Sequence, residues 1–209
     1  MSISRREMIV YAAGAGLAAT AGPAFDALAA GAEPQVGDDG LYKQPWFHQS
    51  FLDLRDDIKE ASEAGKMFAI LFEQRGCPYC KETHKVNFAD PETAKYITEN
   101  FVLLQLDLWG PRKVTDFDGK EMGERELAQR WRVSFTPTIV FFPADPNAVL
   151  GKNGRTVEAW RLVGYWKPFH FQSTFEFVRS GEYKDTNFQR FLQAKAERMR
   201  AKGKKVDLW

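Results

Sequence analysis

The feature that most constrains this chain is a short apolar run followed by two closely spaced cysteines at the start of a helical pattern. Residues 67–72 read Met-Phe-Ala-Ile-Leu-Phe, an uninterrupted apolar stretch typical of a strand buried on both faces. Cys77 and Cys80 follow, separated by Pro78 and Tyr79. Because proline is well tolerated at the first helical position, we predict that Cys77 is the N-cap residue of a helix.

A cysteine at the start of a helix is expected to be reactive. The unpaired backbone N–H groups and the positive end of the helix dipole favour the thiolate over the thiol. We therefore predict that Cys77 attacks a partner disulfide and that Cys80, one turn further and more shielded, resolves the mixed disulfide. Pro78 and Tyr79 are predicted to contact the substrate.

Two other interpretations of the cysteine pair stay open. A structural disulfide is one, although closing so short a loop stabilises little on the chain-entropy argument. Half of a zinc site is the other, with His84 on the same helical face, but zinc generally takes four ligands and no fourth is evident. Since the chain has only two cysteines, they can pair only with each other or with a partner molecule. We expect no cofactor beyond the redox-active disulfide.

The chain after residue 48 alternates helical and strand patterns. Helical spacing is predicted over residues 49–64, 91–100, 124–131, 168–179 and 187–201. Further strands are predicted over residues 101–108, 139–142 and 156–163. Residues 109–123 are predicted to form an inserted loop and residues 143–154 a long turn. This alternation predicts an α/β protein in which helices flank one mixed sheet.

The first thirty residues have the parts of an export signal. Arg5 and Arg6 precede a mild Ala/Gly-rich apolar stretch, and small residues follow around Ala29. The paired arginines resemble a twin-arginine signal, with the Sec route as the alternative. A membrane anchor is less well supported, because the apolar stretch is shorter than the roughly 20 residues needed to span a bilayer. We expect a periplasmic protein.

Four segments are predicted along the chain. They are a signal peptide over residues 1–30, a polar linker over 31–48, the main domain over 49–180 and a helical extension over 181–209. The 29 basic and 28 acidic residues nearly balance, so we expect no nucleic-acid partner. The 17 Phe, 6 Trp and 6 Tyr are ample for a core and argue against disorder. A monomer is expected.

The cysteine motif combined with a downstream Thr136-Pro137-Thr138 resembles the thioredoxin superfamily over about residues 49–179. The resemblance implies a thioredoxin fold with an extra C-terminal helix. In that family the downstream proline is cis and faces the cysteine pair, and by the resemblance this role falls on Pro137. Thr136 could then offer its backbone N–H and C=O to an extended substrate strand beside Cys77.

One departure from the family concerns the proton acceptor for the second cysteine. Cytoplasmic thioredoxins carry a buried acid six residues before the first cysteine, where this chain has Leu71. The nearest acid on the strand is Glu73, which either accepts the proton of Cys80 or is a solvated residue at a strand end. His84 is expected to be an ordinary helix-face residue.

Among exported members, residues 72–81 and 90–93 resemble SoxW-type thioredoxins of sulfur-oxidation systems. This resemblance implies a reductant of periplasmic protein disulfides. Its electrons would come from a membrane thiol transporter, and the sulfur carrier protein of that pathway would be a client.

Two alternatives to a reductant stay open. A Dsb-type isomerase or oxidase is disfavoured, because residues 33–48 leave no room for a dimerisation domain and residues 109–123 are too few for an inserted helical domain. A non-enzymatic thioredoxin-like binding module is the other alternative. The aromatic Phe188 and Phe191 before a basic run, residues 195–205, support it slightly.

Overall fold

The computed structural model of the protein describes residues 34–206. The predicted signal peptide, residues 1–30, lies outside the described residues, so it stays a prediction. Over residues 34–206, no helix combines the length and apolar character needed to cross a membrane.

The described residues form six strands and seven α-helices, with short helical turns between some of them. The strands are β1 (Met67–Glu73), β2 (Phe101–Asp107), β3 (Lys113–Thr115), β4 (Glu121–Gly123), β5 (Thr138–Phe141) and β6 (Trp160–Val163). The helices are α1 (Leu54–Glu63), α2 (Pro78–Glu82), α3 (Pro91–Asn100), α4 (Glu124–Arg130), α5 (Gly154–Val157), α6 (Pro168–Arg179) and α7 (Phe188–Ala201). A π-helical turn (Thr83–Phe88) continues α2, and 3-10 turns span Pro146–Ala148 and Glu182–Lys184.

Four of the strands form one mixed sheet in the order β2-β1-β5-β6. Strand β1 pairs in parallel with β2 and antiparallel with β5, and β6 pairs antiparallel with β5. All seven residues of β1 are buried, because strands lie on both sides of it and side chains cover both faces. The predicted mixed sheet flanked by helices is confirmed.

Aromatic side chains fill the core on both faces of the sheet. One cluster packs α1, α4 and the β3–β4 hairpin around Trp131, Phe72 and Phe142. The other packs α6 and the π-helical turn around Phe141, Phe175 and Phe88. The two clusters position β1 rigidly, which fixes the point at which the cysteine-bearing helix begins.

Three predicted boundaries are wrong, each for a local reason. The first predicted helix begins at Leu54 rather than residue 49, because the Asp53 side chain caps it by accepting from Arg55 N. The predicted strand 156–163 starts only at Trp160, since Asn153 caps the short helix α5 in its place. The predicted loop 109–123 contains the hairpin β3–β4, whose strands are too short to show alternation.

The described part of the segment predicted as a linker is packed against the domain. Leu41 and Phe47 are 1% and 6% exposed. His48 N donates to Leu103 O at 2.9 Å, which lays this segment along the outer edge of β2. Arg75 Nη2 donates to Asp39 O at 3.1 Å, so the segment also reaches the loop before the cysteines.

The aromatic residues of the C-terminal extension face inward. Phe188 and Phe191 are buried against Phe177 of α6, with ring centroids 5.3 and 5.2 Å from it. Lys195, in the run predicted as a basic tail, lies 2.7 Å from Glu176. Helix α7 therefore belongs to the packed domain over these residues.

Candidate active site

The cysteine pair lies at the junction between the central strand and helix α2. Gly76 takes a positive φ of 71° in the turn between them, a conformation that glycine adopts without strain. Cys77 is the N-cap of α2, as predicted, and its Sγ accepts from Cys80 N at 3.1 Å. Pro78 occupies the first turn, where its missing N–H costs nothing. The helix start thus directs backbone N–H groups at the Cys77 sulfur.

Cys77 and Cys80 are joined by a disulfide, with their Cα atoms 5.2 Å apart. Cys77 retains 3% exposure and Cys80 none, so Cys77 is the outer sulfur of the pair. Within residues 34–206, no three His, Cys, Asp or Glu side chains are grouped as metal ligands would be. The disulfide at this helix start has the arrangement used in thiol–disulfide exchange.

The loop before β5 lies directly against the outer cysteine. The Thr136–Pro137 peptide bond is cis. Thr136 Oγ1 donates to Cys77 Sγ at 3.4 Å, and Thr136 O lies 3.7 Å from the same sulfur. Gly164 N donates to Pro137 O at 2.8 Å, which anchors the loop to the end of β6. The structure thus brings Thr136 and Pro137 together with Cys77, 59 residues away.

Exposed aromatic side chains flank this site. Tyr79 is 62% exposed at the first turn of α2, and Phe135 is 68% exposed immediately before Thr136. Trp109 is also exposed, and its Nε1 donates to Gln74 Oε1 at 2.7 Å, just after β1 ends. Sequence reasoning did not single out Phe135 or Trp109, although Phe135 directly precedes the predicted substrate-binding Thr136.

Glu73, the last residue of β1, is fully buried beneath the cysteine helix. The interpretation of Glu73 as a solvated strand end is therefore wrong. Its Oε2 lies 3.1 Å from His84 Nε2 and 2.5 Å from Gln105 Nε2. Its Oε1 has no hydrogen-bond partner among residues 34–206.

His84 is 1% exposed, and it does more than occupy a helix face. Besides Glu73, its ring contacts Gln44, whose Nε2 lies 3.2 Å from His84 Nδ1. Gln44 and Gln105 were missed by sequence reasoning. Gln105 carried a usable signal, since it is the one uncharged polar residue inside the apolar run 101–108.

The family of this chain is shown by comparison with known proteins. A family model described as a thioredoxin-like domain matches residues 54–179. The chain is 32% identical over 124 residues to the thiol:disulfide interchange protein DsbD of Colwellia psychrerythraea. That match covers 59% of this chain but spans only 18% of the length of DsbD.

Two solved structures are also similar to part of this chain. A thioredoxin-fold protein from Helicobacter pylori is 28% identical, with a TM-score of 0.45, and the match covers 63% of this chain and 80% of that one. A thioredoxin from Thermus thermophilus is 25% identical, with a TM-score of 0.46, and the match covers 60% of this chain and 83% of that one.

The predicted thioredoxin fold is confirmed by the family match. A cysteine pair at a helix N-terminus, one sulfur outermost and the other buried, is the arrangement that thiol–disulfide exchange requires. The chain therefore belongs to the thioredoxin-like domain family.

Proposed function

We propose that this protein is an exported, periplasmic reductant of protein disulfides. The observation that carries the proposal is the asymmetry of the cysteine pair. Cys77 sits outermost at the helix N-terminus beside Thr136, while Cys80 is buried at 0% exposure. An outer thiolate can reach a client, and an inner thiol can resolve the mixed disulfide without competing for clients.

The reaction starts from the reduced pair. The Cys77 thiolate attacks a client disulfide, forming a Cys77–client bond and releasing one client thiolate. The Cys80 thiolate then attacks Cys77 Sγ and displaces the second client thiolate. Two electrons pass to the client, and the protein ends in the disulfide form described above. Glu73 takes the proton that Cys80 loses.

Client binding uses the loop that lies against Cys77. Thr136 lies in the loop just before β5, where an extended client segment can pair with its backbone in the manner of strand addition. Pro78 and Tyr79 are exposed on the other side of the sulfur. These three residues are uncharged, so a client would meet no charged group from them beside Cys77.

The proposal also covers where the protein works and which proteins it exchanges electrons with. The N-terminal pattern supports export, and the likeness of residues 72–81 to SoxW-type thioredoxins supports a client in sulfur oxidation. The likeness to part of DsbD supports thiol exchange with protein partners. We propose that a membrane thiol transporter supplies electrons to this protein. The main alternative to a reductant is a Dsb-type isomerase or oxidase.

An insulin-reduction assay with dithiothreitol tests the proposal. We expect wild-type turnover, none in Cys77→Ser, and an accumulated mixed disulfide in Cys80→Ser, because only the first attack remains possible. Absence of turnover in the wild type favours a binding module. The reduction potential then decides the direction: about −270 mV fits a reductant, whereas about −120 mV fits an oxidant and overturns the proposal.

A further inference from the structure

The carboxylate of Glu73 is hydrogen-bonded to His84 of the π-helical turn and to Gln105 of β2. Gln44, from the N-terminal segment (residues 34–53), is hydrogen-bonded to His84 and so acts on Glu73 through it. These residues are all at most 7% exposed, so their hydrogen bonds form in a low-dielectric interior. The N-terminal segment therefore contributes to the interior directly beneath the cysteines.

The orientation of Gln105 is fixed by two groups that can bind only one way. Lys43 Nζ, which is a donor only, lies 2.7 Å from Gln105 Oε1. Tyr42 O, which is an acceptor only, receives Gln105 Nε2 at 2.7 Å. The second hydrogen of Gln105 Nε2 must then be donated to Glu73 Oε2.

The proton position on His84 follows from the carboxylate that it faces. An ionised carboxylate can only accept, so His84 Nε2 carries a proton, and Gln44 Nε2, as placed in the structure, lies 3.2 Å from Nδ1. His84 Nε2 therefore donates to Glu73 Oε2. With two donors already on Oε2, a proton taken up by Glu73 has to sit on Oε1, which no described side chain occupies.

The charged groups around this carboxylate are few. Lys43 is held through Gln105 and is itself paired with Asp39 at 2.6 Å. Arg112 Nη2 donates to the backbone oxygen of Gln105 at 3.4 Å. Asp107 is the register partner of Glu73 on β2. Among the described residues, the side chains hydrogen-bonded directly to the carboxylate are thus His84 and Gln105.

We propose that His84 and Gln44 are positioning residues that hold Glu73 as the proton acceptor of Cys80, and that the N-terminal segment is thereby part of the redox centre. His84 lies four residues after Cys80, in the π-helical turn that continues α2, and its contact with Glu73 places the carboxylate against the helical segment that carries Cys80. The inference rests on the proposed resolving step. In that step the Cys80 S–H proton moves to Glu73 Oε1, the Cys80–Cys77 S–S bond forms, and the bond to the client sulfur breaks.

The resolving step can be timed without a protein client. When the reduced protein is mixed with an aromatic disulfide that releases a coloured thiolate, attack by Cys77 liberates the first thiolate and attack by Cys80 the second. The rate of the second phase is measured against pH. We expect the wild-type rate to fall at low pH. Glu73→Gln should be slower and should need a higher pH to react, because Cys80 must then lose its proton to solvent.

The positioning residues are tested by removing their donors. His84→Phe keeps the ring contacts with Phe47 and Phe88 but removes the donor to Glu73. Because hydrogen bonds to a carboxylate favour its ionised form, the second phase should begin to slow at a higher pH in this variant than in wild type. In the pH range where the rate falls, we expect it to be about tenfold lower in His84→Phe and about threefold lower in Gln44→Met. The first phase should be unchanged.

Two matched controls lie outside the network. Gln172→Met breaks a Gln–Glu hydrogen bond of 3.0 Å on α6, and His170→Phe alters another histidine of that helix. Both should keep the wild-type profile. The proposal is overturned if both His84→Phe and Gln44→Met keep it too, or if Glu73→Gln has the same rate and pH profile as wild type. Should His84→Phe fail to fold, Gln44→Met alone decides. Loss of insulin reduction with an intact second phase would instead reject the proposed function.

Discussion

Two acidic side chains among residues 34–206 have no solvent exposure, Glu73 under the cysteine helix and Asp116 beside the β3–β4 hairpin, and they are bound in different ways. Glu73 accepts two hydrogen bonds on one oxygen and none from residues 34–206 on the other. Both oxygens of Asp116 are occupied. The difference separates an acid that can exchange a proton from an acid that organises packing.

Asp116 joins three segments of chain. Its Oδ1 accepts from Phe117 N at 2.7 Å and Gly154 N at 3.3 Å, and its Oδ2 accepts from Trp131 Nε1 at 3.1 Å. Arg130 lies 2.8 Å from Oδ2. Burial still raises the pKa of Asp116, with Trp131, Phe117 and Arg130 acting in the opposite direction. Asp116 thus organises the packing here, because four hydrogen-bond donors depend on its carboxylate.

The largest effect expected from this contrast is on stability. Asp116→Ala leaves buried donors without an acceptor, and we expect it to lower the free energy of unfolding by about 3 kcal/mol. Glu73→Gln should change it by less than about 1 kcal/mol, because an amide oxygen can still accept from His84 and Gln105. Urea unfolding of both variants measures the two values. A larger loss in Glu73→Gln than in Asp116→Ala would contradict the assigned roles.

Gly154 allows the packing part of the Asp116 site to be tested with its carboxylate intact. A Cβ at this position would overlap the six-membered ring of Trp131. Gly154→Ala should therefore displace Trp131 from Asp116 and lower the free energy of unfolding by about 1–3 kcal/mol. Thermal unfolding followed by tryptophan fluorescence measures this. Gly151→Ala tests backbone strain alone, because Gly151 has a positive φ of 78° and open space around its Cβ position.

The same two sites show how much of the structure could be predicted from the sequence. The central strand, the N-cap at Cys77 and the mixed sheet follow from local patterns: an apolar run, a proline in a first turn, and alternating elements. Glu73 could be named from its distance along β1, but its burial depends on α2 and on residues 34–53 packing over it. Gln44 and Gln105 are 61 positions apart, and no periodicity links them. Partners that meet only through tertiary packing leave no local signal.

A third acid, Asp57, lies between the two extremes, because it binds a histidine near solvent. His48 Nε2 is 3.0 Å from Asp57 Oδ1, and the side chains are 19% and 6% exposed. Ser50 Oγ donates to Asp57 Oδ2 at 2.8 Å. The hydrogen bond with Asp57 raises the pKa of His48 above 6.5, against the effect of burial. This pair ties the N-terminal segment to α1.

The pH dependence of stability tests this intermediate case, and its expected effect is the smallest. Because the folded state binds the His48 proton more tightly than the unfolded state, the stabilisation is fully present below the unfolded pKa of 6.5. It is lost as pH rises through the raised folded value. We expect the contribution to be less than about 1 kcal/mol, since the pair is partly solvated. Urea unfolding of wild type and His48→Gln on both sides of this window isolates it, because a glutamine can still donate to Asp57 but does not titrate. If His48→Gln kept the full wild-type slope, the proton would be held elsewhere, and Asp57 would belong with Asp116 as an acid that serves packing alone.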